Sequence, residues 1–549
     1  MDLNSRPPGV RPVRIVCLGG GWVALYLARA LRRAIRRGEV ELTIVSRENF
    51  HTFHGFIPEM LVGRIQPQHI VTPSRWVFPP ARFHNAEIES IDPVARKVVT
   101  SRAIDGRQYV LEYDHAVVSL GCVDDLSRFP GLAEHTLRVK TYWDCVKARS
   151  HVLSLLEMAE IEADPEERRR LLTFVCVGGN FGGIEVAAEL ADYFHVLVKR
   201  EFRRLKREEF RVIVVHSGPE ILPELGASQP RLVKYARDFL TRHGIEFRLD
   251  TRLTAATSEE AVLNHNERIR TRTILSCAGS AFSPLLERLP NEKDERGRIK
   301  VDASGRVLGS DSLWAAGDCA AMPHPKGGVS PMIASYAMFG GKHVGENLLR
   351  LIRNKPLRPF RFSGIGEGCS IGHRRAVAHL KGIPMWGIPG WVAWRATFMV
   401  FIPSWDRRLR ILVDWILTAL SGREIANIRM NEPFGVRKQM YEPGQVIVRE
   451  GDVGLHMFVI AEGEVDVVRR TEDGTEEHLA TLRPGQHFGE VAIFNHKRRT
   501  ATVRARSRVR LLSLGGSEAL SLSDVMLPFG ESVRTLPKQT PAGGVGRVE

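Results

Sequence analysis

Two glycine-rich turns in this 549-residue chain have residue types and spacing suited to holding phosphate groups. The first reads Gly19-Gly20-Gly21-Trp22-Val23-Ala24, a GxGxxA pattern, and it follows the apolar run at residues 13–18. Gly19 permits a tight turn, and Gly21 lets a pyrophosphate approach the backbone. Ala24 lets the next helix pack closely on the strand, and the phosphate then lies on the helix N-terminus. This turn is predicted to bind a dinucleotide.

The second turn lies 159 residues further on and follows another apolar run, at residues 172–177. It begins at Gly178, includes Gly183 and ends at Glu185, but Asn180 stands where GxGxxG has its middle glycine. Asparagine tolerates a left-handed backbone better than most residues, but its side chain crowds the path of a phosphate. Two interpretations remain open: a second nucleotide site, or a decayed site that keeps the fold.

A third signal is the apolar run at residues 313–316 that ends in Gly317 and Asp318. An aspartate at the carboxyl end of a strand can accept hydrogen bonds from a polyol hydroxyl. Taken alone, this pair is more typical of an ordinary turn. Combined with two nucleotide turns, it is considerably more specific.

These residues need parallel strands and helices to position them, and the sequence predicts both. Short β-branched strands alternate with helices from Val13, and the pattern restarts near Leu172, which predicts an α/β fold with two Rossmann-like dinucleotide-binding domains. After Asn431 the helical signals stop, and short strands separated by Pro-Gly, Glu-Gly and Asp-Gly pairs follow. That pattern predicts a C-terminal all-β jelly-roll domain.

Composition limits the possible functions further. The net charge is +15 and no single run carries it, which indicates a basic surface suited to anionic lipids or phosphates, or simply a solvated one, and no nucleic-acid arm. The seven cysteines are scattered, with no CxxC pair and no metal-ligand spacing. They suit free thiols in a reducing compartment and argue against a disulfide reductase of the glutathione-reductase kind. The N-terminus has no apolar segment typical of a signal peptide.

Together with further matching segments, these signals resemble the type II NADH:quinone dehydrogenase branch of the flavoproteins that have two dinucleotide-binding folds. The resemblance covers roughly residues 12–430, and the further segments are residues 49–53, 118–121, 274–279 and 371–378. It implies FAD on Gly19, Gly21 and Ala24, with Gly317 and Asp318 at the ribityl chain. It implies NAD(P)H on Gly178 and Gly183, with Glu185 as the catalytic residue that faces the nicotinamide. From its position alone, Glu185 could equally be an ordinary carboxylate in the first turn of a helix.

The resemblance implies an enzyme that oxidises NAD(P)H and passes electrons to a quinone or a similar acceptor, with the hydride chemistry supplied by the cofactors. The chain departs from the family at Ser46, where an acid usually holds a ribose, and at His216, where an acid usually selects NADH. Cofactor choice is therefore open. Ala334 and Met338-Phe339 replace the usual glutamines of the quinone-facing segment.

Two alternative functions remain open. One is a signalling protein whose flavoprotein part has lost turnover and senses redox state or a cyclic nucleotide. The other is a sulfide:quinone-type enzyme, which would need Cys122 and Cys369 to meet at the flavin.

A tryptophan-rich segment lies between residues 384 and 423. Five of the nine tryptophans occur here beside several arginines, and prolines interrupt the segment too often for a spanning helix. Tryptophan with arginine is typical of an interfacial amphipathic segment, so we expect a cytoplasmic protein attached peripherally to the inner face of the membrane. The alternative is a buried helical pair or the interface of a homodimer.

Motifs between Tyr441 and Val503 resemble those of a cyclic nucleotide-binding domain, and the resemblance covers about residues 431–514. The resemblance implies that Glu490 accepts the ribose 2′-hydroxyl, and that Arg499 and the amides after Gly489 hold the cyclic phosphate of cAMP or cGMP. Thr500 could add a hydroxyl. The predicted layout is a flexible tail (1–11), an FAD-binding domain (12–140 and 285–365), an NAD(P)H-binding domain (141–284), a membrane-interface segment (366–430), a cyclic nucleotide-binding-like domain (431–520) and a disordered tail (521–549).

Overall fold

The structure is a computed structural model. It describes residues 11–102, 105–126, 129–226, 228–279, 281–427, 437–452, 454, 456–471, 475–494 and 498–515. Apart from Arg11, the two predicted tails lie outside the described residues. The predicted start of the C-terminal domain, residue 431, also lies outside them.

The helices and strands follow one another in three groups along the chain. The first group is β1 (Val13–Leu18), α1 (Trp22–Arg36), β2 (Val40–Ser46), β3 (Phe50–Thr52), α2 (Ile57–Leu61), β4 (Val71–Pro73), α3 (Ser74–Val77), β5 (Arg82–Asn85), β6 (Glu87–Asp92), β7 (Lys97–Ser101), β8 (Gln108–Glu112), β9 (His115–Val118) and α4 (Leu132–His135). The second group is β10 (Thr136–Arg138), α5 (Tyr142–Ile161), α6 (Pro165–Leu171), β11 (Thr173–Val177), α7 (Phe181–Arg200), β12 (Arg211–Val215), α8 (Pro223–Gly226), α9 (Pro230–Arg242), β13 (Ile245–Arg248), β14 (Leu253–Ala256), β15 (Glu260–Leu263), β16 (Arg268–Arg270), β17 (Thr273–Ser276), α10 (Pro284–Arg288), β18 (Ile299–Lys300), β19 (Leu313–Ala315), β20 (Ala320–Ala321) and α11 (Ala334–Ile352). The third group is β21 (Gly366–Ser370), β22 (Ala376–Leu380), β23 (Ile383–Trp386), α12 (Gly387–Phe401), α13 (Trp405–Ser421), β24 (Arg437–Tyr441), β25 (Val446–Val448), β26 (His456–Glu462), β27 (Val465–Arg470), β28 (Glu476–Leu482), β29 (His487–Phe488), α14 (Glu490–Phe494), β30 (Thr502–Ala505) and β31 (Val509–Gly515).

The first sheet is parallel and has the strand order β19-β9-β1-β2-β5. Helix α1 buries the face that contains Leu27 and Leu31 and packs against α11. A side chain at Gly341 of α11 would overlap the backbone of Val23, and one at Gly345 would lie 2.8 Å from Ala30. These glycines let the two helices approach closely, which brings β19 and α11 back to the first glycine turn.

The second sheet is also parallel, with the order β10-β17-β11-β12-β13. Its central strands are buried on both faces, as expected for parallel strands covered by helices. Strand β10 belongs to this sheet although it precedes residue 141, so the chain enters the second unit a few residues before the predicted boundary. Both units have the parallel α/β arrangement that the sequence predicts.

After α11 the chain forms the antiparallel sheet β21-β22-β23 and then the helices α12 and α13. Helix α13 leaves a row of large apolar side chains exposed. The row comprises Leu409, Leu412, Val413, Ile416, Leu417 and Leu420. Among the described residues, none of the helices has the length and hydropathy needed to cross a membrane.

The C-terminal part consists of two antiparallel four-stranded sheets, ordered β24-β31-β26-β29 and β25-β30-β27-β28. Alternating residues of these strands, such as Val465 and Val467, point into a separate apolar core. Strand β24 contacts α4, which connects this part to the second parallel sheet.

Candidate functional site

The first glycine turn is shaped to receive a dinucleotide. Gly19 has a φ of +114°, and a side chain there would overlap the carbonyl oxygen of Ser119. A Cβ at Gly21 would meet nothing within 4 Å, and no side chain caps α1 in the part of the chain described. Ala24 is fully buried between helix and strand. The N-terminus of α1 thus keeps its donors available to a phosphate.

A buried histidine beside this turn also fits a bound dinucleotide. His51 Nδ1 donates a hydrogen bond to the carbonyl oxygen of Gly20 at 3.3 Å. Its Nε2 is buried and has no hydrogen-bond partner among the described residues. Burial lowers the pKa of His51 to about 4, so the ring is neutral at physiological pH. A polar group of a bound cofactor would satisfy the buried nitrogen.

Gly317 and Asp318, which follow β19, lie beside the first glycine turn. Gly317 has a φ of +79°, and a side chain there would lie 2.9 Å from Val23 in the first turn of α1. The Asp318 carboxylate accepts a hydrogen bond from the Cys122 thiol at 3.3 Å, and Lys140 Nζ donates to the Cys122 sulfur at 3.0 Å. Burial and the charge of Asp318 raise the pKa of Cys122 to about 11, so it is a thiol at neutral pH.

The second turn has the same backbone shape but a different set of hydrogen bonds. Gly178 has a φ of +117°, and a side chain at Gly183 would overlap the carbonyl oxygen of Gly178. Asn180 has a φ of −77°, so it does not use a left-handed backbone. Its side chain accepts the Gly183 N–H at 2.9 Å and donates to the Cys277 carbonyl at 2.8 Å. Asn180 therefore caps α7.

Two more side chains, which the sequence did not single out as ligands of this turn, reach it from other elements. The Gly179 N–H donates to His216 Nδ1 at 3.2 Å, and the Phe181 N–H donates to Glu224 Oε1 at 3.3 Å. Burial lowers the pKa of His216 and raises that of Glu224. Glu224 lies in α8, more than forty residues after the turn, and no local pattern marks it as a neighbour of the turn.

Glu185 lies one turn into α7 and faces β21, where its Oε1 accepts the Ser370 N–H at 3.0 Å. Burial is the main reason that the pKa of Glu185 is raised to about 8; the Ser370 N–H opposes the shift, and Glu59 and Glu189 contribute to it. The carboxyl is therefore largely protonated at neutral pH. The Ser370 hydroxyl is buried and has no hydrogen-bond partner among the described residues.

Glu185 and Ser370 line a pocket that the aromatic side chains of α12 close from the other side. The remaining lining residues are Gly55, Phe56, Pro58, Glu59, Glu189, Trp391, Trp394, Arg395 and Phe398. Cys369, beside this pocket, is a buried free thiol, and Cys122 also forms no disulfide.

A buried ion pair fixes α12 and α13 to this pocket. Arg395 Nη2 lies 2.7 Å from Glu59 Oε1, and the guanidinium carbon is 4.3 Å from the ring centres of both Trp391 and Trp415. Trp415 Nε1 donates to Glu59 Oε2 at 2.9 Å. Trp405, by contrast, is 75% exposed. The tryptophan-rich segment thus combines a buried helical pair with an exposed apolar face.

In the C-terminal domain two of the predicted ligand residues, Arg499 and Gly489, are in direct contact. Arg499 is buried and donates to the carbonyl oxygens of Gly489 at 2.7 Å and His456 at 2.6 Å. Glu490 is buried at the start of α14, and His487 Nε2 lies 3.6 Å from its Oε1. Thr500 is exposed.

Comparison with known proteins defines the class of protein to which this fold and site correspond. Residues 13–341 match the family profile described as pyridine nucleotide-disulphide oxidoreductase. Residues 366–424 match an NDH2 C-terminal domain, and residues 438–524 match a cyclic nucleotide-binding domain.

The chain belongs to the pyridine nucleotide-disulphide oxidoreductase family. The resemblance to type II NADH:quinone dehydrogenases, joined to a cyclic nucleotide-binding domain, is confirmed. So are the predicted enzyme class, an FAD-dependent NAD(P)H dehydrogenase, and the cofactors FAD and NAD(P)H.

Individual relatives agree with this assignment. The chain is 26% identical to the type II NADH:quinone oxidoreductase Ndh of Mycobacterium tuberculosis, over 76% of this chain and 90% of that protein. It is 27% identical to the demethylphylloquinone reductase NdbB of Synechocystis, over 76% of this chain and 98% of that protein. Its fold is similar to that of NDH2 from Plasmodium falciparum solved with NADH, with a TM-score of 0.70 and 17% identity over 76% of this chain and all of that one.

Proposed function

We propose that this protein oxidises NAD(P)H and passes the electrons to a quinone at a membrane surface, and that its C-terminal domain binds a cyclic nucleotide that modulates the reaction. The observation that carries the proposal is the Glu185 pocket, which lies between the second glycine turn and the aromatic residues of α12. Relatives named as NADH:quinone oxidoreductases support the choice of acceptor.

The two parallel units serve as Rossmann-like cofactor domains in this proposal. Gly19, Gly21 and Ala24 would hold FAD at the first turn, and Gly317 would let Asp318 approach the ribityl chain. Gly178 and Gly183 would hold NAD(P)H at the second. When bound, the flavin supplies the two-electron chemistry. The protein's part is to bind and orient both nucleotides and to keep water out of the space between them.

The quinone would bind between Glu185, Ser370 and α12 once the side chains of α12 move apart, because the cavity between them measures about 10 Å³ in this structure. Trp391, Trp394 and Phe398 provide flat apolar walls suited to a ring. The Ser370 hydroxyl can donate to a ring oxygen of the acceptor, and this would satisfy its buried donor. Quinone reduction consumes protons, and Glu185 carries one at neutral pH because burial has raised its pKa.

The exposed row on α13 supports peripheral attachment to a membrane. Ile416 is 59% exposed, Leu417 55% and Leu420 76%, which is unusual for a helix packed on a folded domain. The net charge of +15 favours an anionic lipid surface. A homodimer that covers the same row is the alternative, and sedimentation with and without vesicles separates the two.

Contacts between the C-terminal domain and the second unit support modulation by a cyclic nucleotide. The Met440 N–H donates to His135 Nε2 at 2.9 Å, and Gln445 Nε2 donates to Thr257 Oγ1 at 3.2 Å. Gly131, just before α4, approaches the Met440 methyl group, and a side chain there would lie 2.8 Å from it. Glu490 and Arg499 would hold the ribose and the cyclic phosphate, with Gly489 and Thr500 beside them.

An anaerobic titration tests the enzyme. We expect the purified protein to be yellow, its flavin absorbance to bleach on addition of NADH or NADPH, and the colour to return with a short-chain quinone. The competing function is a redox or cyclic nucleotide sensor without turnover, which the carboxylate bonded to the second turn favours. A flavin that stays oxidised under both nucleotides would support that function and refute the dehydrogenase.

A further inference from the structure

The two glycine turns differ in what their backbone donors contact. In the described residues no side chain caps α1 at the first turn. At the second turn, the N–H groups of Gly179, Phe181 and Gly183 already donate to side chains of this chain, at 3.2, 3.3 and 2.9 Å. Two of those acceptors are neutral. The third is the carboxylate of Glu224, an anion at the helix N-terminus where a dinucleotide's pyrophosphate binds in this type of fold.

The segment that carries Glu224 is fastened to the turn. Leu222 has a φ of +52°, which is unfavourable for a branched side chain, and its N–H donates to the Gly179 carbonyl at 2.6 Å. Ile221, Leu222 and Leu225 are fully buried. The strained residue persists because packing holds it, so Glu224 is presented to the turn by the fold itself.

The charge of Glu224 is compensated by backbone N–H groups, its own and that of Phe181. Among the described residues Glu224 forms no ion pair, no cationic group contributes to its pKa shift, and its Oε2 is buried without a hydrogen-bond partner. Glu367 and Cys369 of β21 face it; burial is the main reason that the pKa of each is raised, and the charge of Glu224 adds to both shifts. This is a poor arrangement for a purely structural carboxylate, because an ion pair would stabilise it better.

We propose that Glu224 is a built-in competitor of the pyridine nucleotide: its carboxylate occupies the position of the pyrophosphate and must leave before the nucleotide binds. This rests on the proposed assignment of NAD(P)H to the second turn. Two like charges cannot share one helix N-terminus, so Glu224 weakens nucleotide binding and makes it depend on pH. Acid favours binding because a protonated Glu224 no longer repels the pyrophosphate.

Calorimetry with ADP-ribose tests this, because that probe carries the pyrophosphate but cannot transfer a hydride. We expect Glu224→Gln, which keeps the size and the acceptor oxygen, and Glu224→Ala to bind the probe about tenfold more tightly than the natural protein. Glu220→Gln is the matched control. Glu220 lies four residues earlier and pairs with Arg237 at 2.8 Å. The Glu220→Gln variant should therefore bind ADP-ribose as tightly as the natural protein.

The pH profile provides a second readout. Burial raises the pKa of Glu224, so the affinity of the natural protein for ADP-ribose should rise as the pH falls, and this dependence should be absent in Glu224→Gln. Unchanged or weaker binding in both Glu224 variants would overturn the inference while leaving the dehydrogenase in place. If the flavin-loaded protein and all variants fail to bind ADP-ribose, NADH and NADPH alike, the assignment of the second turn fails and the inference fails with it.

Discussion

Removal of Arg395 should release α12 and α13 from the rest of the molecule. Its side chain is 9% exposed and that of its partner Glu59 is 8% exposed, so the pair is shielded from water. After Arg395→Ala, the Glu59 carboxylate keeps one side-chain hydrogen bond among the described residues, from the Trp415 N–H. Leaving a buried charge without its partner costs about 3–5 kcal/mol. Loss of the two cation–π contacts adds about 1 kcal/mol.

Urea unfolding measures this loss, and hydrogen exchange of the α12 and α13 amides assigns the transition. Arg410→Ala is the control, because Arg410 is 56% exposed on α13 and its pair with Asp406 spans 3.6 Å. An exposed pair of that kind contributes at most about 1 kcal/mol. The double variant Glu59→Gln with Arg395→Met should recover part of the loss. The reasoning is refuted if Arg395→Ala and Arg410→Ala destabilise these helices equally.

Four further experiments test other parts of the site. Ionisation of Glu185 destabilises the fold, so stability should fall as pH rises from about 4.5 to about 8. Quinone reduction should fall above pH 8, and a Glu185→Gln variant that keeps both slopes would contradict the assigned cause. Gly19→Ala should cost about 1–3 kcal/mol and release flavin, because its φ is +114°, and a normal flavin content after purification would count against this. Arg499→Ala should abolish the heat of cAMP or cGMP binding while the exposed neighbour variant Arg498→Ala keeps it, and equal heats would remove Arg499 from the phosphate site. Leu417→Glu should lower binding to anionic vesicles about tenfold, and undiminished binding would argue that another surface meets the lipid.

The departures from the family pattern acquire physical meaning only in three dimensions. In the sequence, Asn180 only replaces the middle glycine of the motif. In the structure, its side chain caps α7 and donates a hydrogen bond to the Cys277 carbonyl. At the sequence level His216 opens the choice of nucleotide, and in the structure it accepts a turn N–H that a phosphate could use. Asn180 and His216 therefore both accept hydrogen bonds from backbone donors of the second turn.

The sequence by itself determined the two glycine turns, the alternation of strands and helices and the C-terminal β module. These features depend on local chemistry. A positive φ at Gly19 and Gly178 requires glycine, and the periodicity of apolar residues indicates whether a segment is a helix or a strand. Only the tertiary structure decided that Glu224 bonds to the second turn and that Glu59 pairs with Arg395, 336 residues away. Such contacts form between segments far apart in the chain, so no spacing within either segment predicts them.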